Sequence, residues 1–176
     1  MNYLIIGGSK SGKSDIAEKI SLNLNHKKVI YIATMKPYDD EDKKRIEIHR
    51  QKRTPHNFIT IEKQNDISEA VASISSEDTV LIDSITSLLT NEMFKGNEII
   101  KDAYEKICRD LKVLMDKACN TVIVSDYIFN DSMDYDEITE NYKKQLALIN
   151  RKIAEDSNKV IECTFGNMKV WKDEIV

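Results

Sequence analysis

The sequence predicts an α/β three-layer sandwich with a mainly parallel sheet and a C-terminal hairpin, and three observations carry that prediction. Apolar runs of strand length recur along the chain without polar alternation, as in strands buried on both faces. Between them, apolar residues repeat every three or four positions, the signature of helices laid across such a sheet. Only the last stretch departs from this alternation, with two strand-like arms around a short turn.

Tyr3–Ile6 reads as a buried strand, followed by a glycine-rich turn and a helix from about Lys13 to Leu24. KVIYIA, Lys28–Ala33, is a second apolar strand. Asp39–Arg53 is strongly charged and reads as a helix, and Ile59–Glu62 is a short strand. Ile67, Ala70, Val71 and Ile74 stand at helical spacing, so Ile67–Ile74 reads as a short helix. Thr79–Ile82 is again a buried strand. Glu98–Ala118 is the clearest helix, because Ile99, Ala103, Ile107, Leu111, Leu114 and Ala118 form one apolar stripe. Thr121–Val124 is a strand, and a second long helix covers about Ile138–Asp156 with Tyr142, Leu146, Ile149 and Ile153 on one side. Asn158–Thr164 and Met168–Trp171 form the closing hairpin around Phe165-Gly166-Asn167.

Nothing in the 176 residues marks a boundary: with five glycines and two prolines there is no linker or repeat, and one domain over residues 1–176 is expected. Acidic residues outnumber basic ones 30 to 26, a balance that argues against a dedicated nucleic-acid binder. No run has the length of a membrane span, and MNYLIIGG lacks the layout of a signal peptide, so a cytoplasmic protein is expected. Cys108, Cys119 and Cys163 have no paired spacing and read as buried thiols.

GGSKSGKS (Gly7, Gly8, Ser9, Lys10, Ser11, Gly12, Lys13 and Ser14) fits G-x-x-x-x-G-K-[ST] at each fixed position, between a predicted strand and a predicted helix. Glycines let backbone N–H groups curl around phosphate oxygens, and the helix start adds the positive end of its dipole. Lys13 would contact the outer phosphates and the Ser14 hydroxyl would ligate magnesium, which predicts ATP or GTP as substrate and Mg2+ as cofactor. Such a site needs a carboxylate at the end of a neighbouring strand. Asp83 closes VLID and is preferred as the metal ligand; Asp126 closes VIVSD and is its substitute. An acid in that place is also a common turn or cap residue, and Ser84 and Thr86 follow Asp83, so capping is the competing reading.

Further motifs follow the loop: YIAT (Tyr31–Thr34), DDE (Asp39–Glu41), RI..H...R.P..F.T.E (Arg45–Glu62), LIDSIT (Leu81–Thr86), TN (Thr90, Asn91) and LALINRKIAEDSNKVIECTFG (Leu146–Gly166). This ordered set resembles the bifunctional adenosylcobinamide kinase / adenosylcobinamide-phosphate guanylyltransferase family of corrinoid assembly. The resemblance implies a RecA-like P-loop fold, a homotrimer, phosphorylation of a corrinoid alcohol by a nucleoside triphosphate, and then GMP transfer from GTP through a histidine. By position it places Ala33 and Thr34 near the nucleotide, gives Glu62 the guanine or ribose, and assigns Asp83 to magnesium.

The chain departs from that pattern at one telling place. The family reads RI.HH...R, and the first histidine of the pair accepts GMP; here Ile48 stands there and only His49 remains. His49 is therefore kept beside Lys13 as a catalytic candidate, and guanylyl transfer is expected to be lost or impaired. A second departure is SDYIF, Ser125–Phe129, where the family carries an asparagine-glutamate-valine-glycine segment. Arg45, Arg50, Lys52 and Arg53 could neutralise polyphosphate, with Arg50 and Arg53 preferred as nucleotide ligands; equally, they could pair with Asp39, Asp40, Glu41 and Glu47 on an exposed helix. His26 reads as a surface turn residue and His56 as part of a solvated loop. NDSMDYDE, Asn130–Glu137, reads as a mobile acceptor-side loop, and Tyr142 and Trp171 as packing residues. Two other readings stay open: a P-loop kinase of another small alcohol, and a non-catalytic GTP- or ATP-binding regulator.

Overall fold

A computed structural model describes residues 1–37, 39–53, 57–129 and 133–174, with the side chains of Asp42, Arg45, His49 and Lys52 outside the described set. Along the chain run β1 (Asn2–Gly7), α1 (Lys13–Leu24), β2 (Val29–Ala33), α2 (Asp40–Arg53) and β3 (Phe58–Glu62). A 3-10 helix (Ile67–Ser73), β4 (Thr79–Asp83), α3 (Ile85–Met93), β5 (Phe94–Lys95), β6 (Glu98–Ile99) and α4 (Ala103–Lys117) follow. The chain closes with β7 (Asn120–Asp126), α5 (Glu137–Asp156), β8 (Lys159–Thr164) and β9 (Asn167–Asp173).

Seven strands make one sheet in the order β3-β2-β4-β7-β1-β8-β9. All neighbours pair in parallel except β8 and β9, the expected hairpin. Alternation along each strand splits the core in two. Leu4, Ile30, Ile32, Val80, Ile82 and Ile123 face one way, against Leu88 and Leu89 of α3, Ile107, Leu111 and Leu114 of α4, and Leu146, Ile149 and Ile153 of α5. Tyr3, Ile5, Val29, Tyr31, Leu81, Val122 and Val124 face the other way, against Ala17, Ile16 and Ile20 of α1. That is the three-layer sandwich the apolar runs imply.

The structure corrects several local expectations. α4 starts at Ala103 rather than Glu98, because Glu98 and Ile99 pair with Phe94 and Lys95 in a small antiparallel ribbon turned by Gly96 at φ +62. Helix α3 has no counterpart among the elements expected from the sequence, although Ile85, Leu88, Leu89 and Met93, all fully buried, stand at helical spacing. Residues 67–73 wind as a 3-10 helix. Of the cysteines only Cys163 is buried, Cys119 being exposed. Tyr142 packs against the core as expected, whereas Trp171 stands exposed on β9, its Nε1–H donating to Glu162 at 2.8 Å. His26 is exposed in a bend. His56 and residues 130–132 of the acidic stretch lie outside the described residues.

Candidate active site

β1 ends at Gly7, and the chain must turn sharply to enter α1 at Lys13. A Cβ on Gly7 would stand 2.5 Å from the Cys163 carbonyl oxygen and 2.6 Å from Ser11 Oγ, so the loop can close against β8 only with glycine here. Gly12, the residue before α1, adopts φ +88, a left-handed conformation that side chains resist. Inside the loop Ser11 N–H donates to the Gly8 carbonyl at 3.3 Å, and Ile16 N–H reaches the Gly12 carbonyl at 3.1 Å. The first turn of α1 thus leaves its unbonded N–H groups at the loop, as an anion-binding helix start requires. Lys13 lies across this loop: its Nζ donates to Gly8 O at 3.1 Å and pairs with Asp126 Oδ1 at 2.6 Å.

Strand register explains why distant residues meet here. Ala33 pairs with Glu62 on one side and Asp83 on the other, so these three form one row at the carboxyl ends of β3, β2 and β4. Gly7 pairs with Asp126 and with Cys163, forming a second row beside it. Ligands of parallel sheets gather at such ends. Ser84, not Asp83, caps α3, its Oγ accepting from Ser87 N–H at 3.4 Å, so Asp83 is left for other work. Tyr31 O–H donates to Asp83 Oδ2 at 3.1 Å. Burial and the neighbouring Asp83 charge hold the Tyr31 phenol well above its ordinary pKa despite Arg53, so it stays a donor across the working pH range.

A cavity of about 500 Å³ opens over this row. Of the residues picked from sequence, Ser9, Lys13, Ser14, Ala33, Arg50, Arg53, Glu62 and Asp83 line it, as does Asp126. The remaining loop residues Gly7, Gly8, Lys10, Ser11 and Gly12 shape the phosphate turn beside it. Thr34 differs: it is fully buried, its Oγ1 donating to the Ser84 carbonyl and accepting from Ser84 N–H, and so ties β2 to β4 rather than facing the cavity. Arg53 is only 5% exposed. It pairs with Glu18 of α1 at 3.1 Å and stacks 3.7 Å over the Tyr31 ring, so it anchors the end of α2 even while it borders the cavity. Asn91 of the TN pair donates to the carbonyls of Thr34 and Gln64, an architectural task.

Helix α2 contributes Lys43, Ile46, Arg50 and Arg53 to the cavity. At about 100° per residue these four fall within roughly 80° of arc, and position 48 falls on the opposite side. Ile48 is 56% exposed, consistent with that placement. His49 lies on α2 with its side chain outside the described residues, as do the side chains of Arg45 and Lys52. The competing reading of the helix is seen in part, with Lys43 pairing with Asp40 at 2.9 Å. Sequence reasoning missed Tyr31, Lys43, Ile46, Thr60 and Gln64 as cavity residues. For α2 the spacing i, i+3, i+7, i+10 was a usable signal; for Tyr31 and Gln64 no local signal exists.

A glycine loop closing the first strand of a parallel sheet, with its lysine paired to an acid at the end of the neighbouring strand, defines a RecA-like P-loop nucleotide-binding protein. Known folds agree: a KaiC-like protein of Pyrococcus horikoshii superposes with TM-score 0.57 at 12% identity, over 98% of this chain and 79% of that one. A second solved structure, an ATPase domain, gives 0.52 at 13% identity, over 92% and 68%. The chain belongs to the cobinamide kinase / cobinamide phosphate guanyltransferase family (CobU), whose family model matches residues 3–170. It is similar to the bifunctional adenosylcobalamin biosynthesis protein CobU of Escherichia coli, 40% identical over 95 residues, or 53% of this chain and 51% of that protein. That match spans about half the relative's length. The bifunctional adenosylcobalamin biosynthesis protein CobP of Pseudomonas aeruginosa is 27% identical over 161 residues, 91% of each chain. No helix among the described residues is long and apolar enough to cross a membrane.

Proposed function

We propose that the protein transfers the terminal phosphoryl group of ATP or GTP to the hydroxyl of adenosylcobinamide. The observation that carries this reading is the convergence of Lys13, Ser14, Asp83 and Asp126 on one cavity at the strand ends. Lys13 Nζ, now held by Asp126 and Gly8 O, would trade these partners for phosphate oxygens and offset charge on the transferring group. Asp126 is thereby released beside the phosphoryl and can accept the proton of the attacking hydroxyl.

Ser14 and Asp83 would hold magnesium, which supplies charge neutralisation of the phosphates when bound. The donor set fits that ion. Among the described residues no group of three or more His, Cys, Asp or Glu could hold a metal by itself. Magnesium takes one or two protein oxygens and completes its shell with phosphate and water. Tyr31 engages only Oδ2 of Asp83, so the carboxylate keeps an oxygen to ligate with.

The assay is direct: adenosylcobinamide with ATP or GTP should yield the phosphate ester, and no product at saturating protein would sink the reading. Tight nucleotide binding without any transfer would favour the regulator instead. Tyr127 and Phe129, packed edge to face at 5.7 Å just past Asp126, carry the rival reading of another alcohol as acceptor, which a panel of alcohols resolves. A cytoplasmic single-domain protein assembling as a homotrimer belongs to the proposed reading as well.

Guanylyl transfer through position 48 has no place in it, since Ile48 offers no nucleophilic atom and stands on the side of α2 away from the cavity. Labelled GTP is therefore expected to leave no acid-labile GMP on the protein. A histidine-type adduct mapped to His49 would overturn this half.

A further inference from the structure

We propose that Phe165 is a stacking platform for the base of a nucleotide whose phosphates lie in the loop Gly7–Ser14, a base position separate from the cavity under α2. The inference rests on the reading of that loop as the nucleotide's phosphate site. β8 and β9 are joined by the two residues Phe165 and Gly166, with φ +51 and +75. A turn with positive φ at both residues favours Asn or Asp followed by Gly, and a bulky side chain in the left-handed region is strained. The Phe165 ring is also 93% exposed, the most exposed large apolar side chain among the described residues. Backbone preference and solvation thus both oppose phenylalanine here, and a strained outlier of this kind points to a ligand.

The turn's position says which ligand. Gly166 N–H donates to the Ser11 carbonyl at 3.3 Å, and Gly166 Cα lies 4.0 Å from where a Cβ on Gly12 would stand. The hairpin tip is therefore fastened to the phosphate loop itself. Sheet order puts it on the far flank from the cavity: β8 and β9 lie on one side of β1, while β4, β2 and β3, under the cavity, lie on the other. Phosphates held between these flanks leave the attached base two directions, towards Glu62 or towards Phe165. An aromatic face stacks adenine and guanine alike without reading their edges, as suits a phosphoryl donor that can be either nucleotide.

Calorimetry on the full chain tests this with three ligands, ATP, GTP and inorganic tripolyphosphate. Phe165→Ala is expected to weaken ATP and GTP about ten-fold and to leave tripolyphosphate unchanged, whereas Phe165→Trp keeps nucleotide affinity. Phe165→Asn suits the turn and should lose base affinity like the alanine variant, which separates stacking from hairpin stability. Equal affinities for ATP in wild type and Phe165→Asn, or equal losses for ATP and tripolyphosphate, would overturn the platform. So would a change in sedimentation with no change in ATP affinity, which would assign the ring to a contact between copies. Wild-type protein binding tripolyphosphate as tightly as ATP removes the platform and leaves the loop reading intact; binding neither removes both.

Discussion

Lys13→Ala is expected to lower the rate of phosphoryl transfer about 10²- to 10³-fold, the loss typical when one preorganised charge is removed from a transition state. The Lys13 side chain is only 12% exposed, so its charge acts in a partly desolvated site where it is worth more than in water. Its removal also strands Asp126, leaving a carboxylate beside the phosphates that nothing offsets. Lys13→Arg should not restore the rate, because a bulkier planar fork does not fit the place of a compact ammonium among the phosphate oxygens. Initial rates of ester formation, with circular dichroism as a control for folding, provide the check. A loss below about five-fold would remove Lys13 from the chemistry.

The second large effect concerns stability. Glu92 on α3 is 2% exposed and accepts from Lys106 Nζ, from Lys95 Nζ at 2.8 Å and from Asp66 N–H at 2.7 Å. Lys106 also reaches Asp66 at 2.8 Å and Asp110 at 3.2 Å, so the 3-10 helix, α3 and α4 are joined by one ionic network. Glu92→Ala removes the acceptor of two lysines and one backbone N–H and is expected to cost about 3 kcal/mol, at the lower end for a broken buried pair because Lys106 keeps two partners. In a chain of this size that lowers Tm by roughly 6–12 °C. A shift under about 2 °C in calorimetry would show the network to be solvated and weak.

The pH dependence of that network follows from the directions of its shifts. Burial pushes the Glu92 carboxyl up, but hydrogen bonds from Lys106, Lys95 and Asp66 N–H outweigh it and hold its pKa below the ordinary value. The Lys106 hydrogen bond likewise lowers Asp66. A carboxyl depressed in the folded state binds protons more readily unfolded, so its contribution is full above the unfolded value near pH 4 and is lost as pH falls through the lower folded value. Burial works to lower Lys106, yet hydrogen bonds to Asp66, Glu92 and Asp110 raise it above the ordinary lysine range. Its contribution is full below about pH 10 and is lost as pH rises through the folded value. Glu92→Gln should flatten the acid limb of the stability curve.

Legibility varied with the range of the interaction. The phosphate loop could be read because a single turn of chain does all its work, and its glycines at positions 7 and 12 answer to a close approach and a positive φ. α5 could be read because Tyr142, Leu146, Ile149 and Ile153 repeat along a helix of 20 residues. The stripe of α3, Ile85, Leu88, Leu89 and Met93, is confined to nine residues and interleaved with Thr, Ser and Asn, so it stands out less. Arg53 illustrates the limit. Its charge in a basic helix suggested phosphate, but Glu18 and Tyr31, far away in sequence, hold it as an anchor.

By itself the sequence determined the alternation of strands and helices, the phosphate loop, the family, and the absence of a histidine at position 48, since each is written in local spacing or in residue identity. Tertiary structure alone decided that Glu62, Ala33 and Asp83 share one row and that Lys13 meets Asp126. It also decided that Ile48 turns from the cavity and that Phe165 is carried to the loop's far flank. Those outcomes depend on strand order and register, and pairing between strands far apart along the chain is chosen by the energy of the whole packed sheet rather than by any one segment.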